Sequence, residues 1–247
     1  SHYFGDGFAK AFDITFTDQN NQRVHPHQTS WGVSTRLIGG IIMTHGDNNG
    51  LVLPPKIAPV QIVVVPVAQH KPGVLDAAAA LLDRLQAAGF RAKLDDSDNS
   101  LGWKCAQWEM KGVPLRIEIG PKDLEQNQCC MVRRDNREKA FAPLAQLEQS
   151  AASLLDAVHE GLYQRAKKNL EEHTYEAHSL EEARALQQEH GGFIKTMWCE
   201  SPECEARMKE EAGMTSRCMP FQQEHLDDVC PICGKPAKKM IYWGVAY

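Results

Sequence analysis

Two close cysteine pairs carry the clearest chemistry in this sequence: "CESPEC", with Cys199 and Cys204, and "CPICG", with Cys230 and Cys233. The pairs lie about 25 residues apart. Each can form a short knuckle, and together they suit a Zn²⁺ ion held tetrahedrally by four thiolates. Pro231 and Gly234 shape the second knuckle, whereas the four-residue gap in the first is looser. Disulfides and unrelated buried thiols are the competing readings. Four thiolates leave no coordination position for water, so the expected role is structural. Cys105, Cys129, Cys130 and Cys218 read as ordinary reduced thiols. Cys129 and Cys130 are neighbours on a predicted strand and must face opposite sides.

A second candidate is Arg36 in "TSWGVSTRLIGGIIMTHGD", where it heads an apolar, glycine-bearing segment. Trp31 and Gly32 stand just before it, with Ser34 and Thr35 beside it. A guanidinium near a helix N-terminus with small hydroxyl neighbours can grip a phosphate or stack on a base. A structural ion pair is the competing reading, and by pattern alone it prevails. His45 reads as a cap or turn anchor. Further along, Arg116, Glu118, Lys122, Asp123, Arg133 and Arg134 fall near predicted strand ends, where α/β folds bind ligands. Lysine and arginine can hold RNA phosphates, and a carboxylate such as Glu118 can accept from a guanine edge. Trp103 and Trp108 could stack on bases, but at a spacing of five they read first as core. "KKNLEE" reads as a solvated helix face.

These residues need elements to place them. Residues 12–17 and 24–29 read as strands around a polar turn, "DQNNQ", and residues 36–45 read as a short helix that "HGDNNG" stops. "LVLPPKIAP" is extended and marks a domain boundary. "VQIVVVPV" (60–67) has no polar face, as a buried parallel strand requires. A helix over 72–88 follows, with proline in its first turn and Gly89 at its end. A strand at 91–94, a helix at 101–110 and strands at 114–120 and 129–135 complete an α/β domain with a partly parallel sheet. Residues 140–177 read as helical and charged. A helix at 180–189, "GGFIKTMWC" and the cysteine-rich tail form a small unit that a metal would staple.

The whole chain has 247 residues, 43% hydrophobic and 24% charged, which suits an ordinary globular protein. A net charge of -5 gives no global attraction for nucleic acid, so an RNA site must be a local patch, and DNA is not expected as a partner. The apolar runs are too short to span a bilayer, so no membrane partner is expected. No signal peptide is evident at the N-terminus, which places the eight cysteines in a reducing compartment, the cytoplasm by default.

Several stretches together resemble the prolyl-tRNA synthetase family, in its archaeal/eukaryotic-like type with a C-terminal zinc-binding domain. They are "SHYFGDGFAKAFDI", "TSWGVSTRLIGGIIMTHGDNNGLVLPPKIAP", "GWKCAQWEMKGVPLRIEIGPKDLE" and the four-cysteine tail ending "AY". The family's dimer-forming motif 1 and ATP-gripping motif 2 have no counterpart here, so the resemblance implies a C-terminal half that begins inside a class II catalytic domain. It implies catalytic-domain sequence over 1–58, an α/β anticodon-binding domain over 59–150, a helical connection over 151–178 and a zinc-binding α+β domain over 179–247. On this resemblance "SWGVSTR" is the class II motif 3 and Arg36 its ATP-binding arginine. Trp31, Gly32, Ser34 and Thr35 line the aminoacyl-adenylate site, and His2 lies near the proline pocket. Glu118 leads the candidates for reading the anticodon guanines, with Lys122, Arg133 and Arg134 behind it, and Tyr247 packs toward the catalytic domain. The parent enzyme, a homodimer, is then expected to activate proline with ATP and Mg²⁺ and transfer it to tRNA(Pro), whereas this chain alone is expected to be inactive. The reading from another class is a non-catalytic tRNA- or RNA-binding module, and the intact "TSWGVSTR" speaks against it.

Overall fold

The computed structural model describes residues 2–246, so the expectation for Tyr247 lies outside the described residues. Chain order opens with β1 (His2–Gly5), α1 (Gly7–Ala11), β2 (Phe16–Thr17), β3 (Arg23–Val24), β4 (Gln28–Ser30) and α2 (Arg36–His45). β1 pairs with β4 and β2 with β3, both antiparallel. The strand expected at 12–17 is mostly lost, because Phe12 caps α1 and Asp13 takes a positive φ of 52°. Pro26, which has no N–H to donate, separates β3 from β4 within the strand expected at 24–29. This first segment buries little: Ala9 is enclosed, while Phe8, Phe12, Phe16, Trp31 and Leu37 face outward.

The second unit comprises β5 (Ile62–Pro66), α3 (Val74–Ala87), β6 (Ala92–Leu94), α4 (Leu101–Met110), β7 (Leu115–Ile119), α5 (Pro121–Glu125), β8 (Gln128–Arg133) and β9 (Lys139–Pro143). Its sheet has the order β6-β5-β7-β8-β9, parallel across β6-β5-β7 and antiparallel across β8 and β9. β5 lies inside with all five residues buried, which its unbroken apolar run requires. On one face Ile62, Val64, Leu115, Ile117 and Met131 pack against Leu81 and Leu85 of α3. On the other, Val63 and Val65 pack beneath α4 with Trp108. Ser100 caps α4 by accepting the Trp103 N–H.

α6 (Leu147–Glu172) then runs for 26 residues, about 39 Å of axis, and its buried positions Leu147, Ala151, Leu155, Val158 and Leu162 form one stripe. Leu147, Ala151 and Leu155 join the sheet core, whereas Val158 and Leu162 close over Val52 of the first segment. A bidentate Arg84–Glu148 pair at 2.8 Å fixes its start to α3. The helix expected over 140–177 therefore begins after a sheet-edge strand, β9, and stops before β10 (Thr174–Glu176). The rest is α7 (Leu180–His190), β11 (Phe193–Trp198), α8 (Pro202–Ala212), β12 (Met214–Cys218) and β13 (Lys239–Val245), with strand order β10-β11-β13-β12. Trp243, fully buried, donates its indole N–H to Thr196 Oγ1 at 2.9 Å.

Backbone hydrogen bonds join the first segment directly to the sheet unit. Leu51 N–H donates to Met110 O, and Leu53 N–H to Gly112 O. The backbones meet so closely that a Cβ on Gly50 would lie 2.6 Å from Met110 Cα, and one on Gly112 would lie 2.6 Å from Leu51 Cβ. Beside this joint Arg134, 2% exposed, grips Asp47 with two bonds of 2.7 Å and donates to Glu109 O at 2.9 Å. The Arg134 hydrogen bonds hold the Asp47 carboxyl well below the ordinary 3.8. The stabilisation is therefore complete above that value and lost as acid protonates Asp47. Asp47 is 39% exposed, so Asp47→Asn is expected to cost about 2 kcal/mol at neutral pH, less than a fully buried pair. Urea unfolding at neutral pH and over a series below pH 3.8 checks this: the gap between variant and wild type should narrow progressively as pH falls.

Candidate functional site

The four cysteines of the two knuckles converge. Cys199 directly follows β11, and Glu200 (φ 66°) turns the chain so that Cys204 falls in the first turn of α8, behind Pro202. Cys230 and Cys233 occupy a tight turn closed by Gly234 N–H to Cys230 O and by Cys230 N–H to Lys235 O, both 2.8 Å. All four Sγ atoms lie within 4.8 Å of one another, with Cys199–Cys204 at 3.6 Å and Cys199–Cys233 at 3.7 Å. Four sulfurs about 2.3 Å from a tetrahedral centre sit about 3.8 Å apart, so the set fits a thiolate-held metal ion. A disulfide needs about 2.05 Å, which excludes that alternative here. Cys199, Cys204 and Cys230 are buried among Met208, Met214 and Trp243, and the cluster forms part of this unit's core. Burial pushes the Cys204 and Cys230 thiols up, while the Lys235 backbone N–H brings Cys233 down to about 7.

The second site is the α4-side face of the five-stranded sheet. Register places Glu118 opposite Cys130 and Cys130 opposite Phe141; the next row runs Arg116, Val132 and Lys139. On this face Cys130 and Val132 of β8 are still buried, whereas the edge strand β9 is open and its Phe141 is 62% exposed. Glu118 accepts from Arg116 Nε at 2.8 Å, and Cys105 and Glu109 of α4 complete this wall. Beyond the carboxyl ends of β5 and β7 opens a cavity of about 770 Å³ lined by Val67, Lys122, Asp123, Gln128 and Phe141. It lies at the point where the chain leaves β5 toward one side of the sheet and β7 toward the other, the usual ligand crevice of such folds. Asp123 holds the entry to α5 by accepting the Gly120 N–H at 2.9 Å.

Of the residues expected to read RNA, Lys122 lines this cavity, while Glu118 lies beside it on the α4-side face, 15% exposed and paired with Arg116. Arg133 and Arg134 are instead committed elsewhere: Arg133 clasps Asp135 at 2.7 Å, and Arg134 clasps Asp47. Their position at the end of β8 invited the expectation, but their charge is consumed in ion pairs. Phe141 and Lys139 escaped the sequence reading because β9 was absorbed into a predicted helix; the alternation in "KAFAP" was the available signal. Trp108 is core, donating to Asp95 Oδ2 at 2.7 Å, while Trp103 is half exposed. Cys129 faces the α3 side of the sheet and Cys130 the α4 side, as adjacent strand residues must, and both are buried; burial pushes the Cys129 thiol up to about 11.

In the first segment β1 lies beside β4, with His2 opposite Ser30, so the ladder brings His2 next to the Trp31–Gly32 turn. α2 starts at Arg36 as the sequence suggests, and the Arg36 N–H donates to Ser34 Oγ at 3.4 Å. The Arg36 side chain is exposed and has no ion-pair partner among the described residues, so the structural pair that pattern alone favoured is not formed. His45, the last residue of α2, is partly buried; desolvation, then Arg165 and His159, lowers its pKa.

Residues 61–154, which carry this sheet, match the family described as "Anticodon binding domain". Residues 180–247 match "Prolyl-tRNA synthetase, C-terminal", so the chain is similar to the C-terminal region of prolyl-tRNA synthetases. Over all 247 residues it is 58% identical to the proline–tRNA ligase of Ruminiclostridium cellulolyticum and covers 52% of that protein. It is 55% identical to proline–tRNA ligase 2 of Bacillus cereus and 54% identical to the proline–tRNA ligase of Clostridium novyi, again over its full length and 52% of theirs. The chain thus spans about half the length of the curated relatives it matches. No helix among the described residues is long and apolar enough to cross a membrane.

Metal analysis of the purified chain is expected to give about one equivalent of a thiolate-binding divalent ion. Chelation, or Cys230→Ser, should unfold the β10–β13 unit while leaving the five-stranded sheet intact, as hydrogen exchange would register. Unchanged protection across residues 174–246 after complete metal removal would contradict the assignment.

Proposed function

We propose that the chain forms the C-terminal half of a proline–tRNA ligase. The carrying observation is the 58% identity maintained across every residue of the chain to a protein of that name. In the complete enzyme the carboxylate of proline attacks the α-phosphorus of ATP and pyrophosphate leaves. A terminal ribose hydroxyl of tRNA(Pro) then attacks the prolyl carbonyl and AMP leaves. ATP with Mg²⁺ supplies the activating phosphate. Arg36, exposed and uncommitted at the head of α2, neutralises charge that develops on the phosphates. Trp31 and Gly32 line the adenylate site with Ser34 and Thr35, and His2 borders the proline pocket. The outward-facing Phe4, Phe8, Phe12, Leu37, Ile38 and Ile42 supply apolar surface for the remainder of a class II catalytic domain.

The anticodon of tRNA(Pro) is read on the open sheet face. Glu118, oriented by Arg116, accepts from a guanine edge, Lys122 holds the backbone or a base carbonyl, and Phe141 offers a stacking surface. Zn²⁺ is the ion that best suits four thiolates, and its role is to hold shape. The units run over 1–58, 59–150, 151–178 and 179–247, with α6 (Leu147–Glu172) supplying most of the third.

Two measurements test this reading. An RNA hairpin carrying the tRNA(Pro) anticodon should bind the chain more tightly than one whose guanines are replaced by adenine, and Lys122→Ala should weaken it about tenfold. The isolated chain should show no proline-dependent ATP–pyrophosphate exchange. In a complete enzyme bearing these residues, Arg36→Ala should lower exchange by about 10² or more. Exchange by the isolated chain above background would refute the division of labour.

A further inference from the structure

A second cleft lies on the same carboxyl edge of the sheet, across the backbone of Val67 and Ala68 from the switch-point cavity. It has about 330 Å³ and is walled by Gln69, His70, Asp98, Asn99 and Leu101, with Lys104 at its base. Lys104 is 2% exposed, an unusual position for an ammonium group. Its Nζ donates to Gln69 Oε1 at 2.8 Å and to Asp95 O at 3.0 Å. The Asp95 carboxylate stands 4.0 Å away and already accepts from the Ser97 N–H, the Ser97 hydroxyl and the Trp108 indole. One N–H of Lys104 thus has no acceptor within hydrogen-bond distance among the described residues. Gln69 ties the two walls together by donating to Ser97 O at 3.1 Å. Ala68, between the two cavities, holds a positive φ of 55°, a conformation disfavoured for a residue with a Cβ and concentrated at functional sites.

We propose that this cleft takes one nucleoside of the bound RNA, next in the strand to the bases read at the switch point. The proposal rests on the anticodon-binding reading. Asp95 and Asp98 outweigh the single ammonium, which disfavours a phosphate and favours the neutral part of a nucleotide. Asp98 at the rim accepts from ribose hydroxyls, Asn99 offers donor and acceptor to a base edge, and the free N–H of Lys104 meets a base acceptor. A polar cleft at the lower end of small-molecule site volumes is sized for one such unit. Recognition through a ribose 2′-hydroxyl distinguishes RNA from DNA at this position.

The test uses the full 247-residue chain and the anticodon hairpin, with single 2′-deoxy substitutions placed in turn around the loop. Wild type should lose about tenfold in affinity at one loop position flanking the guanines. The rim variant Asp98→Ala with Asn99→Ala should bind the unmodified hairpin about tenfold less tightly and become insensitive to that substitution, while still preferring guanine over adenine. Lys122→Ala should keep the deoxy sensitivity. Binding by the rim variant within about twofold of wild type, or retained deoxy sensitivity, overturns the proposal while leaving the anticodon reading intact. Loss of guanine preference in the wild-type chain itself overturns both.

Discussion

The structure hangs on the single apolar stripe of α6. Its first half completes the core beneath the five-stranded sheet, its middle closes over Val52 of the first segment, and its end leads directly into β10. One helix face therefore serves two environments in succession. Because a helix advances 1.5 Å and 100° per residue, insertion of one residue before Val158 would displace the second from the first.

Two kinds of polar cluster are arranged around that frame. The sulfur cluster replaces core volume: three of its thiols are packed among Met208, Met214 and Trp243, so folding and metal binding are one process there. On the sheet unit the polar residues are sorted by whether their charge is already matched. Arg133, Arg134 and Glu118 are paired with Asp135, Asp47 and Arg116, whereas Lys122 faces an open cavity beside Phe141. Position near a strand end does not separate these groups. Partnering does.

Much of this was legible beforehand. The apolar run of β5 and the proline and glycine that bracket α3 yield those elements from pattern alone, and the paired knuckles foretell a sulfur cluster. β9 was hidden because a five-residue edge strand beginning with lysine and ending in proline resembles the head of the helix that follows it. The fates of Arg133 and Arg134 were hidden because Asp47 lies 87 residues from Arg134, and no local pattern encodes that pairing. Arg36 is the reverse case: pattern favoured an ion pair, and the folded chain provides none among the described residues.

The Gly50–Met110 and Gly112–Leu51 approaches place backbone against backbone, with no flexible side chain between. Such a joint has no slack. A flexible linker would let its two ends sample a broad range of separations, and an event at one would be averaged away before reaching the other. Here Leu51 and Leu53 are hydrogen-bonded straight to the end of α4, so the chain has little room to hinge at this point.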